Sequence, residues 1–559
     1  MSKGKSMSKR TRTLILACVA VVALGGILTA LLLIPPKESA SSSEVSSDPS
    51  ISLLDKSKGA DDKTVDDPVK TMTVKLQGEE FTLVKNSDGD MVVEAYKDLP
   101  IGTSNIDYLI SAVTTISASK KLGAVENPAD FGFDKPLATV NVTYHDDSTY
   151  AFEIGAKTPL EDGYYYRVKD SGEVYIVETS LGDEVSQAST AYIGTTLMTA
   201  PTKNDDDENG QAVLRDMELS GTARKQTFAF RQVTSSDTKM SLYSYMLTKP
   251  YLRGVNSNLA QTLSTFTSLT ASSAFKAYPT KEDLTKYGFD KPYTVAKLNT
   301  AISSTKDDPN ASSSASSSTS SGSSETPQIT YYYNVAAHTI TVGNKDEDGN
   351  YYVMADDIPV IYLVSSSSIS SWVSLQYDDV ADTMLFMENI VNVKSISLTV
   401  DGKETLFELS HYPDKEESDD QLVVKVGDKT YSTPTFRSLY QILMGVARNG
   451  SASEKPTGTP SVIFKMTLNG EDAPSTVVNM YQTSASLYTV VQSTGETYTV
   501  KASAVNTLKQ RLTDYLNGDT YFRILYPQHN LDRARNQFKL VTDMEVKMPL
   551  MDAIIKKYI

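Results

Sequence analysis

An acidic stretch near residue 205 is the chain's best match to a metal-binding pattern. Asp205, Asp207, Asn209 and Asp216 fall at positions 1, 3, 5 and 12 of the twelve-residue calcium-loop template. Position 12 is an Asp where the template has a bidentate Glu, and Pro201 argues against the helix that should precede the loop. The sequence therefore predicts a solvated acidic linker, with a calcium site as the alternative.

Other residues that could carry catalysis lack partners at useful spacing. None of the four histidines pairs with another at metal-ligand spacing; they are His145, His338, His411 and His529. Ser-x-x-Lys occurs at residues 117–120 and 303–306, without the companion motifs of serine acyl-enzymes. The only cysteine, Cys18, lies in the apolar N-terminal stretch, so disulfides and thiolate sites are excluded beyond it. We predict no catalytic residue and no cofactor.

A six-residue motif occurs twice and organises the chain. Its copies are Phe131, Gly132, Phe133, Asp134, Lys135 and Pro136, and Tyr287, Gly288, Phe289, Asp290, Lys291 and Pro292. A third, degenerate copy ends at Pro456. Glycine gives φ freedom, and proline forces the residue before it out of the helical region. The motif therefore predicts a structural turn from a helix into a strand, with ligand contact as the lesser alternative.

The same elements surround each copy of the motif. Upstream of the first copy, Ile106, Leu109, Ile110 and Val113 share one face of a predicted helix. Downstream, apolar and polar residues alternate through two hairpins, which indicates half-buried strands. The second and third copies follow the same plan, and many of the 32 tyrosines fall on predicted strands. The predicted fold class is therefore α+β and β-rich, in three tandem repeats of strands, a helix and β-hairpins.

The N-terminal region predicts a membrane anchor in front of these repeats. Residues 1–12 are basic, and residues 13–34 carry no charge and are long enough to form a transmembrane helix. The positive-inside rule places the N terminus in the cytoplasm and the bulk of the chain outside the cell. A cleaved signal peptide is one alternative, and a lipoprotein signal ending at Cys18 is another.

Composition sets the remaining boundaries. Residues 35–66 are predicted to be a Ser-rich tether, and residues 303–328 a disordered Ser-rich insertion. The predicted repeat domains are 67–200, 216–385 and 386–520, with an acidic linker at 201–215 and a helical C-terminal tail at 521–559. The net charge of −16 argues against binding to nucleic acid.

The first motif copy and the Tyr-rich strands after it resemble the bacterial domain of unknown function 4340. The resemblance covers residues 67–181 well and remains recognisable over 217–372. It implies a single-pass membrane protein of a Gram-positive type of cell envelope, encoded beside ABC-type transport systems. The family has no established catalytic residues, so the resemblance supplies none.

These observations predict a non-catalytic, membrane-anchored extracellular protein. The first hypothesis is a binding or accessory subunit that contacts the permease or ATPase of an ABC-type export system. The alternatives are a cell-wall-processing enzyme, and a calcium-stabilised surface adhesin or spacer. A cell-wall polymer is a further candidate partner. Partner surfaces are expected between adjacent repeats, as in other repeat arrays.

Overall fold

A computed structural model describes residues 50–518 apart from 60–62, 66, 235–236, 238–242, 308–327, 387 and 416–420. The predicted basic tail, the C-terminal tail at 521–559 and most of the Ser-rich insertion lie outside these residues. The chain forms two compact units. The first contains the described residues up to Val69 together with Ser111–Ser186. The second contains Lys70–Ile110 and the described residues from Gln187 onward.

The predicted fold class is wrong in its membrane-spanning part. No helix in the described part of the chain is both long and apolar enough to cross a membrane. The longest of these helices has 15 residues, which gives about 22 Å of length against the roughly 30 Å hydrocarbon core. Residues 13–34, on which the prediction rested, lie outside the described residues. The corrected fold class is α+β, with antiparallel sheets and short helices.

The strands and helices follow a regular order along the chain. The first strands are β1 (Ile51–Asp55), β2 (Val69–Leu76), β3 (Glu80–Lys85), β4 (Met91–Val93), β5 (Thr115–Gly123), β6 (Ala138–Tyr144), β7 (Thr149–Lys157), β8 (Tyr164–Val168), β9 (Val174–Val177) and β10 (Thr196–Met198). The next are β11 (Gln211–Ser220), β12 (Phe228–Gln232), β13 (Tyr245–Lys249), β14 (Arg253–Gly254), β15 (Leu269–Thr270), β16 (Ser273–Ala277), β17 (Thr294–Asp307), β18 (Gln328–Lys345), β19 (Tyr351–Ala355) and β20 (Val360–Val364). The last are β21 (Val393–Val400), β22 (Lys403–His411), β23 (Leu422–Val426), β24 (Lys429–Tyr431), β25 (Arg448–Ser451), β26 (Val462–Leu468), β27 (Thr476–Gln482), β28 (Leu487–Gln492) and β29 (Thr497–Lys501). The helices are α1 (Thr103–Thr114), α2 (Thr179–Val185), α3 (Ser257–Ser264), α4 (Lys281–Lys286), α5 (Ser366–Ile369), α6 (Tyr377–Val380), α7 (Thr433–Met444) and α8 (Ala502–Leu516).

The sheets repeat one strand order. In the second unit, one sheet runs β14-β13-β12-β11-β17-β18-β19-β20-β16 and another runs β24-β23-β22-β21-β26-β27-β28-β29-β25. These two orders match strand for strand. The first unit contains the corresponding run β6-β7-β8-β9-β5, with β1 added beside β5. In each copy a helix precedes the strand at this end of the run, which is β5, β16 or β25, and a four-strand meander completes the sheet. The residue boundaries of the three repeats stay a prediction.

Periodicity explains why these segments adopt these structures. In α7, Pro434 occupies the first turn, where its missing N–H costs nothing, and Phe436, Leu439, Tyr440 and Leu443 are buried on one face. Strand β26 alternates strictly between buried and half-buried residues. The buried residues of this last sheet and its helices form one hydrophobic cluster. Helix α8 also packs there, which places a helix where the sequence had no assigned element.

A preceding segment lies against the edge strand in each copy. β1 pairs with β5, although residues 51–55 fall inside the predicted tether. Residues 187–198, named here the upstream strap, include β10, which pairs with β15 just before edge strand β16. Residues 376–386, the downstream strap, hydrogen-bond to the residues around edge strand β25. The straps therefore connect successive copies through backbone contacts.

Candidate functional site

The first copy of the repeated motif forms a tight turn onto a strand glycine. Gly132 has a φ of 82°, in the left-handed region that favours glycine. A Cβ on Gly155 of β7 would lie 2.1 Å from the carbonyl oxygen of Phe131, so the turn and the strand touch backbone to backbone. The Phe131 ring also contacts Tyr165 edge to face, with centroids 4.8 Å apart. Phe133 is buried.

The second copy repeats this geometry. Gly288 has a φ of 86°, and a Cβ on Gly343 of β18 would lie 2.1 Å from the carbonyl oxygen of Tyr287. The Tyr287 ring lies 4.5 Å from that of Tyr352, which occupies the strand position of Tyr165. The polar residues of the motif are exposed in both copies, namely Asp134, Lys135, Asp290 and Lys291. The motif therefore places its aromatic residue on the sheet and leaves its charges in solvent.

The structure separates the residues proposed as calcium ligands. Asp207 accepts hydrogen bonds from the hydroxyls of Ser304 (2.9 Å) and Tyr333 (2.8 Å), which hold the linker against β17 and β18. Asp216 lies within strand β11, where it accepts a 2.7 Å hydrogen bond from Asn299. In the described residues, no group of three or more His, Cys, Asp or Glu side chains could hold a metal ion. The structure therefore does not bring Asp205, Asp207, Asn209 and Asp216 together as a metal site.

Both Ser-x-x-Lys sequences lie in strands. Residues 117–120 belong to β5 and residues 303–306 to β17. In β17 the pairing is regular from Ile302 onward, so Ser303 and Lys306 point to opposite faces of the sheet and lack the geometry of a serine nucleophile with a lysine base. In β5 the register shifts between Ala118 and Lys120, which interrupts the alternation there.

The upstream strap and the downstream strap each make the same set of backbone contacts in the second unit. We call these two contact regions the upstream junction and the downstream junction. In the upstream junction, Ile101 and Ile193 form an antiparallel bridge, and the N–H of Ala271 donates to the carbonyl of Thr195 at 2.8 Å. In the downstream junction, Val255 and Ala381 form the bridge, and the N–H of Arg448 donates to Thr383 at 2.7 Å. Hydrogen bonds from Gly102 to Tyr192 and from Asn256 to Val380 also correspond, each at 2.9 Å.

Three equivalent positions differ in chemistry between the junctions. In the upstream junction they hold Leu99, Ala271 and Val360, which are buried in one hydrophobic cluster. In the downstream junction they hold Arg253, Arg448 and Glu496. The equivalent bridges align Leu99 with Arg253, and the equivalent backbone hydrogen bonds align Ala271 with Arg448. The strand register aligns Val360 with Glu496, because Ala274 pairs with Tyr362 and Ser451 pairs with Tyr498. An apolar trio and a charged trio thus occupy the same place in two copies of one fold.

The charged trio is almost completely buried and is internally paired. Glu496 is 1% exposed and lies 2.8 Å from the Arg253 guanidinium and 3.3 Å from that of Arg448. Arg448 also pairs with Asp378, whose carboxylate accepts hydrogen bonds from Ser451. Two guanidinium groups and two carboxylates therefore balance in charge, as burial in a low-dielectric interior requires.

Aromatic rings and backbone carbonyls complete this network. The Arg253 guanidinium lies 5.0 Å from the ring centroid of Tyr498. It also donates to the carbonyls of Asp382 (3.1 Å) and Met384 (2.9 Å) in the downstream strap. The hydroxyl of Tyr377 donates to Glu496 at 2.9 Å. The network thus links β14, the strap, β25 and the β28–β29 turn at one point.

Burial and pairing shift the pKa values in this network in opposite directions. Burial acts to lower the pKa of Arg253, but its interactions with Tyr498 and Glu496 outweigh that effect and raise it. Burial acts to raise the pKa of Asp378, but hydrogen bonds from Ser451 and Arg448 lower it on balance. Burial next to Glu496 raises the pKa of the Tyr377 hydroxyl, which therefore stays protonated as a donor. Both shifts favour the charged forms of Arg253 and Asp378.

A cleft of about 190 Å³ opens beside the charged trio. One wall carries Leu252 and Met384, which are 48% and 40% exposed although both are large and apolar. The opposite wall is polar and is formed by Ser475, Thr476 and residues 492–494. A cleft with apolar contacts and a few fixed polar groups is typical of a binding site.

The charged trio was not identified from the sequence alone. Arg253 and Glu496 lie 243 positions apart, and no local pattern connects them. Superposing the repeats would have found them, because charged residues then fall where another copy has Leu99, Ala271 and Val360. That comparison needs the strand register, which the degenerate third motif does not supply.

These observations define a β-rich repeat protein whose copies are joined by straps and whose downstream junction contains a buried ionic network. Residues 92–292 and 246–437 each match the family described as Domain of unknown function (DUF4340). The two matches together cover more than half of the chain, so the protein belongs to this family. They also confirm that the sequence is repetitive, as the duplicated motif predicted.

Proposed function

We propose that this protein is a non-catalytic accessory subunit of an ABC-type transport or export system and acts on the outer side of the cell membrane. The observation that carries this proposal is the cleft at the downstream junction. There Leu252 and Met384 remain exposed beside a rigid ionic network. Exposed apolar side chains around a fixed polar centre are the usual anchor of a protein–protein contact. The link to a transport system rests on the resemblance to the family.

Electrostatics support a binding role over the alternative of a wall-processing enzyme. Such an enzyme needs a general acid, and a general acid is commonly a carboxyl group whose pKa is raised. The carboxyl groups with a shifted pKa in the described part of the chain are all shifted downward; they are Asp55, Asp146, Glu173, Asp207, Asp237, Asp283, Asp346 and Asp378. A lowered pKa favours structural ion pairs and hydrogen bonds over proton donation.

The test is recovery of a permease and its ATPase with the tagged full-length protein. The protein is expressed in its native cells, cross-linked, purified and analysed by quantitative mass spectrometry. The double variant Leu252→Asp with Met384→Asp places two charges at the cleft. Its control, Leu406→Asp with Tyr412→Asp, changes residues of similar exposure, 45% and 47%, outside the cleft.

We expect the wild type and the control to recover both transporter subunits and the cleft variant to recover about tenfold less. Failure of the wild type to recover either subunit would overturn the accessory role. Equal recovery with the cleft variant would retain the accessory role and exclude this cleft as the contact. Thermal unfolding of all three proteins shows whether each is folded.

A further inference from the structure

We infer that the open face of the β11–β20 sheet binds a neutral, linear polysaccharide. This face is independent of the cleft and of the proposed transporter contact. It combines a cluster of three mutually tilted aromatic rings, named here the aromatic platform, with a polar groove. The combination matches the two surfaces of a sugar ring, which has apolar C–H faces and a hydroxylated rim.

The aromatic platform consists of Phe275, Tyr287 and Tyr352. Ring centroids lie 5.2 Å apart for Phe275 and Tyr287, 5.1 Å for Phe275 and Tyr352, and 4.5 Å for Tyr287 and Tyr352. Phe275 is 37% exposed, and the tyrosines are half-buried. The face of an aromatic ring is electronegative and attracts the weakly positive hydrogens of C–H bonds. Because the rings pack against one another, their side-chain conformations are already ordered before a ligand binds.

The polar groove has a volume of about 780 Å³ and lies on the same face of the sheet. Strand β19 indicates that the platform and the groove share a face, because its buried and half-buried residues alternate from Tyr351 onward. Tyr352 therefore shares a face with Met354, and Asp356 at the end of this row lines the groove. Four residues of a strand span about 13 Å. A ligand that reaches both features is therefore longer than one sugar ring.

The charged side chains that line the groove nearly balance, with four acids (Asp216, Glu218, Asp356 and Asp357) and three bases (Arg231, Lys249 and Lys297). Lys249 lies 2.6 Å from Glu218, and Asn299 donates to Asp216 at 2.7 Å. Asp356 accepts from the N–H of Thr339 at 2.7 Å. Balanced charges leave dipoles and lone pairs for hydroxyl groups but little net field for a charged ligand.

Local charge also argues against an anionic polymer. The turn between β18 and β19 carries Asp346, Glu347 and Asp348 a few residues before the platform residue Tyr352, whereas one cation, Lys286, lies 5.1 Å from the ring centroid of Tyr287. The acids outnumber this cation and would repel phosphate or carboxylate groups that approach the rings. A neutral glycan meets no such penalty, so charge complementarity selects it among cell-surface polymers.

The test is titration calorimetry of the full-length protein with cellotetraose, maltotetraose and tetra-N-acetylchitotetraose. We expect at least one of these neutral tetrasaccharides to bind, with an affinity that stays constant within twofold between 50 and 500 mM NaCl. Phe275→Ala should weaken binding about fivefold because a ring contact is lost. Tyr412→Ala, which removes a 47% exposed aromatic ring outside this face, should leave affinity unchanged.

One further variant keeps the result decisive. Phe275→Leu retains apolar volume against Tyr352 and removes only the aromatic face, so it replaces Phe275→Ala if that variant fails to fold. Binding to none of the three sugars would overturn the inference. So would binding that survives the loss of the Phe275 ring, or an affinity that falls tenfold between 50 and 500 mM NaCl, as expected for an ionic contact.

Discussion

The upstream and downstream junctions use the same backbone hydrogen bonds but opposite side-chain chemistry. The upstream junction buries Leu99, Ala271 and Val360, whereas the downstream junction buries two arginines and a glutamate. Replacing buried ions with apolar residues of similar size is often neutral or stabilising. The charged trio is therefore not explained by a need for stability. We interpret the charged trio as fixing the geometry of the downstream junction. Ion pairs and hydrogen bonds specify one arrangement, whereas apolar contacts tolerate small shifts.

The largest effect is expected when one charge of the trio is removed. Glu496→Ala leaves two buried guanidinium groups without their shared carboxylate and should lower the free energy of unfolding by about 3–5 kcal/mol. Val360→Ala at the equivalent upstream position removes two methyl groups and should cost less, about 2 kcal/mol. Chemical denaturation of the full-length protein measures both. Equal losses would show that the two junctions do not differ in the way proposed.

A smaller effect is expected when the whole trio is exchanged. The variant Arg253→Leu, Arg448→Ala and Glu496→Val gives these three positions the residues of the upstream junction. Asp378 loses its arginine partner, but its side chain is 45% exposed and keeps the hydrogen bond from Ser451, so the free energy of unfolding should stay within about 2 kcal/mol of the wild type. Hydrogen exchange of the downstream strap should nevertheless become faster, since the carbonyls of Asp382 and Met384 lose their donor. A loss as large as that of Glu496→Ala would contradict our interpretation.

The smallest effect concerns pH and should be larger in the downstream junction. The pKa of Asp378 is lowered in the folded protein, so its ion pair stabilises fully above the unfolded pKa of about 3.9. This stability is lost as pH falls through the lowered folded pKa. Hydrogen exchange of residues 376–386 should therefore accelerate relative to that of 187–198 as pH falls below about 4. Asp378→Asn should remove this difference, and a difference that persists in the variant would assign it to another group.

Much of the fold could be predicted because its signals are local. The apolar stripe through Ile106 and Val113 marked α1, and alternation marked the hairpins of the first copy. The motif predicted a turn, and Gly132 and Gly288 both adopt positive φ. Strand β1 was missed because residues 51–55 are a short apolar run inside a polar segment, and only pairing with β5 defines them as a strand.

The candidate site could not be predicted because its signals are non-local. Arg253 lies on a two-residue strand, and Glu496 lies in a turn. Both positions normally carry solvent-exposed residues, and only packing against the downstream strap buries them. The predicted membrane-spanning helix rests on the apolar length of residues 13–34, which lie outside the described residues. No described helix is long and apolar enough to cross a membrane.

The straps also bear on how such a chain can lengthen. The segment that covers the edge of each sheet comes from the chain that precedes that sheet, as residues 187–198 and 376–386 show. A duplicated copy inserted in tandem would therefore arrive with the cover for the copy after it. One end of each new sheet would then lie beside a strap, which limits pairing with a foreign strand there, the usual hazard of β-sheet proteins. Gene duplication could thus extend this array while that end of each sheet stays protected.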